Sequence, residues 1–154
     1  MVTLEPKITT LPTVDVRGEA LLVADAYERT GFARRKRLGV GEFVTADQIV
    51  RHNSGSATTL LEGVSGVRLQ YTAHGVRVVS SRDASGMSQR SCTGYLVDGQ
   101  YVSRGPSGDD QFLPQAREII GLEVYQPGES FGGRPPSNCL NILIWTKAMF
   151  ADGS

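Results

Sequence analysis

Two different spacings of apolar residues divide the chain. Alternation with period two, which marks a strand with one buried face, occurs in Val67-Arg68-Leu69-Gln70-Tyr71 and in Gly75-Val76-Arg77-Val78-Val79. It returns in Tyr95 to Val97 and in Tyr101-Val102, which are joined by Asp98-Gly99. Asp-Gly between two such runs is a strong hairpin signal, because both turn residues must take positive φ. Ile119 to Tyr125 reads as a further strand. Leu140 to Thr146, LNILIWT, is the most continuous apolar run and predicts a central strand covered on both faces. Near the N-terminus, residues 1–12 are polar and Pro-containing, and Thr13-Val14-Asp15-Val16 alternates before Gly18 stops it.

Helical spacing fills the region between. From Glu19 to Arg37, Leu22, Ala26, Arg29 and Ala33 fall along one side, with Val23, Tyr27 and Phe32 nearby. Gly31 costs about 1 kcal/mol against Ala inside a helix, so a break or bend is expected there. Glu42-Phe43-Val44 is a brief extended piece. Thr45-Ala46-Asp47-Gln48 fits a capping box and predicts a short helix from Ala46 to about His52. Ser56 can cap a second one, Ala57 to Glu62, with Leu60 and Leu61 inward. Asp109-Asp110 can cap a helical turn near Leu113 to Arg117, with Pro114 tolerated in its first turn. Residues 80–91 and 127–138 are polar or Gly/Pro-rich and read as long loops. No repeat of fixed period appears.

This order predicts one α+β domain, a small mixed sheet with short flanking helices. Its expected parts are a lead-in and first strand over 1–18, the main domain over 19–147 and a tail over 148–154. The length of 154 residues and the 40% hydrophobic content suit a single core. The 18 glycines suit many turns rather than a helical bundle. Lys plus Arg and Asp plus Glu are 16 each, so no chain-wide charge favours nucleic acid or an acidic membrane. No apolar run approaches the roughly 20 residues of a spanning helix, and the first residues do not read as a signal peptide.

The candidate chemistry is sparse. Gly128-Glu129-Ser130-Phe131-Gly132 matches the G-x-S-x-G nucleophile elbow. That chemistry needs a strand-to-helix turn and a downstream His, yet GRPPSNC follows, and His52 and His74 both lie upstream. The two His and two Cys lack paired metal-ligand spacing, so no metal and no cofactor is expected. Arg34-Arg35-Lys36-Arg37 is the only basic run. It reads as a solvated helix end suited to the macrodipole, with docking of an acidic partner as the functional alternative. Cys92 and Cys139 allow one disulfide or two free thiols. A bridge over that span would stabilise by roughly 4 kcal/mol in the chain-entropy model and would imply an oxidising compartment such as the periplasm.

Several pieces, in this order, resemble one family. GEFVTADQI, SATTLLEGVSGVRL, YLVDGQYV, LPQAREIIGLEVYQPGES and CLNILIWTK are similar to the plug domain of TonB-dependent outer-membrane receptors. The family's paired leucines and G-V strand start are matched by Leu60, Leu61, Gly66 and Val67. Its apolar-Asp-Gly hairpin is matched by Leu96, Val97, Asp98 and Gly99. Pro114, Ile120, Glu123, Val124 and Tyr125 match its Pro-led turn and I-E-V strand. Asn141, Ile142, Leu143, Ile144 and Thr146 match its last strand. The upstream GFARRKRLGVGEFVT resembles the subgroup whose plug follows a carboxypeptidase-regulatory-like domain. Together the match covers about residues 30–147.

The resemblance implies a non-enzymatic domain of the bacterial envelope, periplasm or outer membrane. Such a domain sits inside a β-barrel, occludes its pore and contributes to ligand binding. Candidate ligand- or barrel-facing residues are Arg82, Asp83, Ser130, Phe131 and Arg134 in the two loops. Cys92 and Cys139, each just before a strand of the family's sheet, become expected disulfide partners, and Asp98-Gly99 serves turn geometry. Arg34 to Arg37 remains a candidate interaction patch. A β-barrel domain or another envelope protein is the expected partner. Nucleic acid and a direct membrane span are not expected. Contact with TonB is left open, since no TonB-binding box is evident. A free-standing periplasmic adaptor is the alternative, and a serine hydrolase using Ser130 a further one.

Overall fold

A computed structural model describes residues 18–52, 55–73, 75–81, 92–102, 109, 112–131 and 138–153. The expected strand at Thr13 to Val16 lies outside these residues. The fold is α+β. Helix α1 covers residues 18–30, and α2 covers Phe32–Leu38. Strand β1 (Glu42–Thr45) runs straight into α3 (Ala46–His52), and α4 is Ala57–Leu61. Strands β2 (Val67–Thr72) and β3 (Gly75–Ser80) pair antiparallel as a separate two-stranded sheet. Then come β4 (Thr93–Val97), β5 (Gln100–Val102), a 3-10 turn at Ala116–Glu118, β6 (Ile119–Tyr125) and β7 (Leu140–Thr146). A 3-10 segment, Lys147–Gly153, follows.

The main sheet has the order β1-β6-β7-β4-β5. The run LNILIWT is the middle strand, antiparallel to β6 and parallel to β4, and all seven of its residues are buried. Side-chain alternation splits the core in two. Ile142 and Ile144, with Leu122, Val124 and Tyr95, face α3, α4 and the β2–β3 hairpin. Leu143 and Trp145, with Tyr125 and Leu96, face α1 and α2. The continuous apolar pattern of β7 thus follows from having a packed layer on each side.

The long helix of the sequence pattern is two helices. Gly31 sits at φ 85°, outside the helical region, and separates α1 from α2. Of the stripe expected along Leu22, Ala26, Arg29 and Ala33, only Ala26 is fully buried. Leu22 is exposed, whereas Val23, Ala26, Tyr27 and Thr30 turn inward. Tyr27 stacks on Phe32 with centroids 4.2 Å apart. Both lie against Gly121, where an added Cβ would come within 3.0 Å of Phe32 and 3.3 Å of Tyr27. Next to it the β6–β7 register slips between Ile119 and Gly121. The carbonyl of the bulged Ile120 accepts the Tyr27 hydroxyl, whose oxygen in turn accepts the Ala46 N–H at 2.9 Å. One phenol therefore links α1, the sheet and the start of α3.

The caps at Thr45 and Ser56 differ in detail. Thr45 N–H donates to Gln48 Oε1 at 2.8 Å, and Ser56 Oγ accepts from Thr59 N at 3.3 Å. The helical turn expected near Leu113 to Arg117 is instead Ala116–Glu118, capped by Gln115. Asp109 does not cap it. Asp109 is fully buried and accepts from Val78 N at 2.8 Å and from the Tyr95 hydroxyl at 2.7 Å, joining β3 to β4.

Candidate functional site

Four strand ends meet at one end of the molecule: the ends of β3 and β6 and the starts of β4 and β7. Two loops leave from there, one from β3 to β4 and one from β6 to β7. Their starting points are tied by Ser80, whose hydroxyl donates to Gln126 Oε1 at 2.6 Å. Gln126 Nε2 also donates to the Gly66 carbonyl at 2.8 Å. Their far ends are tied by a disulfide between Cys92 and Cys139, with Cα atoms 4.7 Å apart. The parallel register explains this pairing. Thr93 lies opposite Leu140, so the preceding residues Cys92 and Cys139 are neighbours across the ladder. Leu140 N–H donates to the Cys92 carbonyl at 3.0 Å, extending the ladder to the bridge.

The loop interiors 82–91 and 132–137, with candidates Arg82, Asp83 and Arg134, lie outside the described residues. Ser130 is exposed. Phe131 is not a loop-surface residue. It is 4% exposed and stacks on Tyr125 with centroids 5.0 Å apart. Its apolar ring returns to the core although its neighbours are Gly-rich. Around Ser130 the backbone forms a turn closed by Glu129, whose carboxylate accepts from Gln126 N at 2.7 Å. Among the described residues, that turn leads to Phe131 and not into the helix an elbow serine requires. His52 closes α3 on the surface, and His74 lies outside the described residues.

The basic run divides by direction. Arg34, Lys36 and Arg37 are exposed. Arg35 is not part of a solvated patch: its side chain is 11% exposed and grips the fully buried Glu123 of β6. Arg35 Nε donates to Glu123 Oε1 at 2.7 Å and Nη2 to Oε2 at 2.8 Å, a bidentate pair. Two more donors complete the carboxylate: the Tyr125 hydroxyl to Oε1 at 2.7 Å and Trp145 Nε1 to Oε2 at 2.6 Å. Arg35 also lies over the Trp145 ring, 5.9 Å from its centroid. Burial pulls the guanidinium pKa down, but the bonds and charge of Glu123 more than reverse this and hold it above the ordinary value. Burial, then the bond to Glu123 and its charge, push the Tyr125 phenol well above its ordinary range. A signal for this network exists in the sequence: IIGLEVY carries a lone acid in a strand covered on both faces, and such an acid needs a cation.

Asp98 has more than a turn role. Asp98 and Gly99 both take positive φ, 51° and 90°, as a type I′ hairpin requires. In addition the Asp98 carboxylate accepts from Thr146 N at 2.8 Å and from Thr146 Oγ1 at 2.6 Å, so the β4–β5 turn holds the end of β7. Among the described residues no three His, Cys, Asp or Glu come together as a metal site, and no helix is long and apolar enough to cross a membrane.

No family model matches this chain, and no curated protein matches it. Among solved structures it is similar to a ferric enterobactin receptor from Pseudomonas aeruginosa, crystallised in complex with enterobactin. The identity is 23% over 68% of this chain, with a TM-score of 0.47. The chain spans 17% of that receptor's length.

Proposed function

We propose that this chain is a non-catalytic, plug-like binding and interaction domain of the bacterial envelope, of the kind seated inside outer-membrane TonB-dependent receptors. One observation carries the reading. The segments that resemble the family are not scattered: YLVDGQYV forms β4 and β5, IIGLEVY forms β6 and LNILIWT forms β7, all in one sheet. The segment with the paired leucines, α4 leading into β2, covers one face of that sheet. The disulfide supports assignment to an oxidising compartment. The doubly tied loop pair supports a platform for ligand or barrel, with Arg82, Asp83, Ser130 and Arg134 as contact residues. The proposed partner is a β-barrel domain or another envelope protein.

A photo-crosslinking residue placed at Ser130, in the chain with its natural flanking sequence, tests this in the producing cell. The expected product is an adduct to a β-barrel protein or barrel segment in the outer-membrane fraction. Recovery of the chain in the cytosol, with both Cys92 and Cys139 open to alkylation, overturns the reading.

A further inference from the structure

The fold sorts the four cations of Arg34 to Arg37. Arg35 turns in to Glu123, and Arg34 is exposed. Lys36 and Arg37 share a helix face with Ala33, three and four positions earlier, and these three residues border a hollow of about 340 Å³. Tyr27, Phe32 and Thr45 complete its lining, and Arg34 has no part in it. Small-molecule sites occupy roughly 300–1,000 Å³ and have this kind of lining, apolar and aromatic with few polar groups.

The aromatic part of the lining is already fixed in place. Tyr27 stacks on Phe32 with centroids 4.2 Å apart. Its hydroxyl is engaged by the Ile120 carbonyl and the Ala46 N–H. Phe32 is fully buried and Tyr27 half-buried, so the ring surface within reach is that of Tyr27. The charges that border the hollow are both positive, and no acid is among its lining residues. The Lys36 side chain is exposed and has no ion pair among the described residues. Arg37 meets Glu28 at 3.7 Å, with side chains 65% and 66% exposed. A pair so open to water contributes little and gives way to a better one. A separate hollow of about 570 Å³ shares Tyr27 and Thr45 with this one but carries Glu19 and Asp47 and no cation. Ligand charge therefore decides between the two.

We propose that the hollow beside α2 binds a small aromatic carboxylate, with its ring against Tyr27 and its carboxylate between Lys36 and Arg37. Aromatic rings pair offset or edge to face, and both cations give charge-assisted hydrogen bonds, the Arg37 guanidinium as a fork. Complementarity in two parts names the ligand: cations without an acid in the hollow, and a ring without a free donor. This goes beyond the plug-like reading and does not rest on it.

The test titrates the whole chain, labelled with ¹⁵N, with phenylacetate. Phenylacetamide keeps the ring without the charge, and acetate keeps the charge without the ring. Saturable amide shifts at Ala33, Lys36 and Thr45 are expected, with binding at least about tenfold weaker for either control. Lys36→Gln/Arg37→Gln should weaken phenylacetate by a similar factor, and Arg34→Gln should leave it unchanged. Should the double variant lose the native spectrum, Lys36→Gln alone carries the comparison, with a loss of at least about threefold expected. Absence of saturation, equal binding of either control, an equal loss in Arg34→Gln, or shifts centred on Ala20 and Ala24 overturns the proposal. Tighter binding of the capped peptide GGFEGG than of phenylacetate gives the hollow to an acidic segment of a protein and also overturns it. A negative result leaves the crosslink from Ser130 unaffected, so the two readings fail separately.

Discussion

The most consequential single side chain is Glu123, because it is an acid in the middle of the molecule that accepts four hydrogen bonds from three different residues. Removing one partner of a buried ion pair leaves an uncompensated charge, which costs about 3–5 kcal/mol. Arg35→Met should therefore lower unfolding free energy by that amount in urea titration, whereas Arg34→Met, on the exposed neighbour, should change it by less than about 0.5 kcal/mol. Equal effects of the two would dismiss the distinction between them. The phenol of Tyr125 gives the same site a pH signature. Its folded pKa is raised above that of the unfolded chain, so its contribution is complete below the unfolded value near 10. Above that pH the unfolded chain gains by losing the proton and the folded chain does not, so stability falls as pH rises. Tyr27, also raised by burial, acts in the same direction. Urea midpoints should drop between pH 9 and pH 11, and Tyr125→Phe should flatten that drop. An unchanged slope in the variant would remove Tyr125 as its source.

Elements differ in how much of them the sequence discloses. Strands β4, β6 and β7 are legible because their apolar runs answer to layers on both faces, and hairpin β4–β5 because Asp98-Gly99 dictates its turn. The buried face of α1 is only partly so: Ala26 of the expected stripe is buried, but Leu22 and Arg29 on the same helix are exposed, because the sheet and Phe32 meet the side that carries Tyr27. The inward turn of Arg35 is also hidden: within Arg34 to Arg37, charge type says nothing about direction, and only Glu123 in a distant strand decides it. Phe131 escapes for the same reason, since its stacking partner Tyr125 sits at the end of a different element. The cysteines are an intermediate case. Their number leaves the pairing open, and the parallel register of β4 and β7 brings them together. The bridge closes a sequence separation of 47, for which the chain-entropy model gives about 4 kcal/mol. Cys92→Ser/Cys139→Ser should lose up to about that much by denaturant unfolding. Because the bridge ties loop ends rather than core, near-native far-UV circular dichroism should survive in the variant. A loss below about 1 kcal/mol would mean that the Ser80–Gln126 bond and the β4–β7 ladder hold these loop ends without the bridge.

At the scale of the whole molecule, the sheet is a spine with two separately packed faces, and the faces are fastened differently. On one side α1 and α2 hold through Tyr27, Phe32 and the Arg35–Glu123 pair. On the other the β2–β3 hairpin holds through Asp109, Ser80 and Gln126, with α3 and α4 closing over Leu122, Val124 and Ile144. A strand that both faces cover opens only when both layers leave, so β7 should exchange its amide hydrogens only through global unfolding. An edge strand needs to shed just one neighbour. The amides of the edge strand β1 should accordingly exchange orders of magnitude faster than those of Ile142 or Leu143. Arg35→Met should speed exchange in α1 and α2 more than in β2 and β3, since it loosens one fastening and leaves the other. Native-state hydrogen exchange read residue by residue checks this order. Uniform acceleration across both layers in the variant would show that the two faces unfold as one cooperative unit and that the spine, not the fastenings, sets their stability.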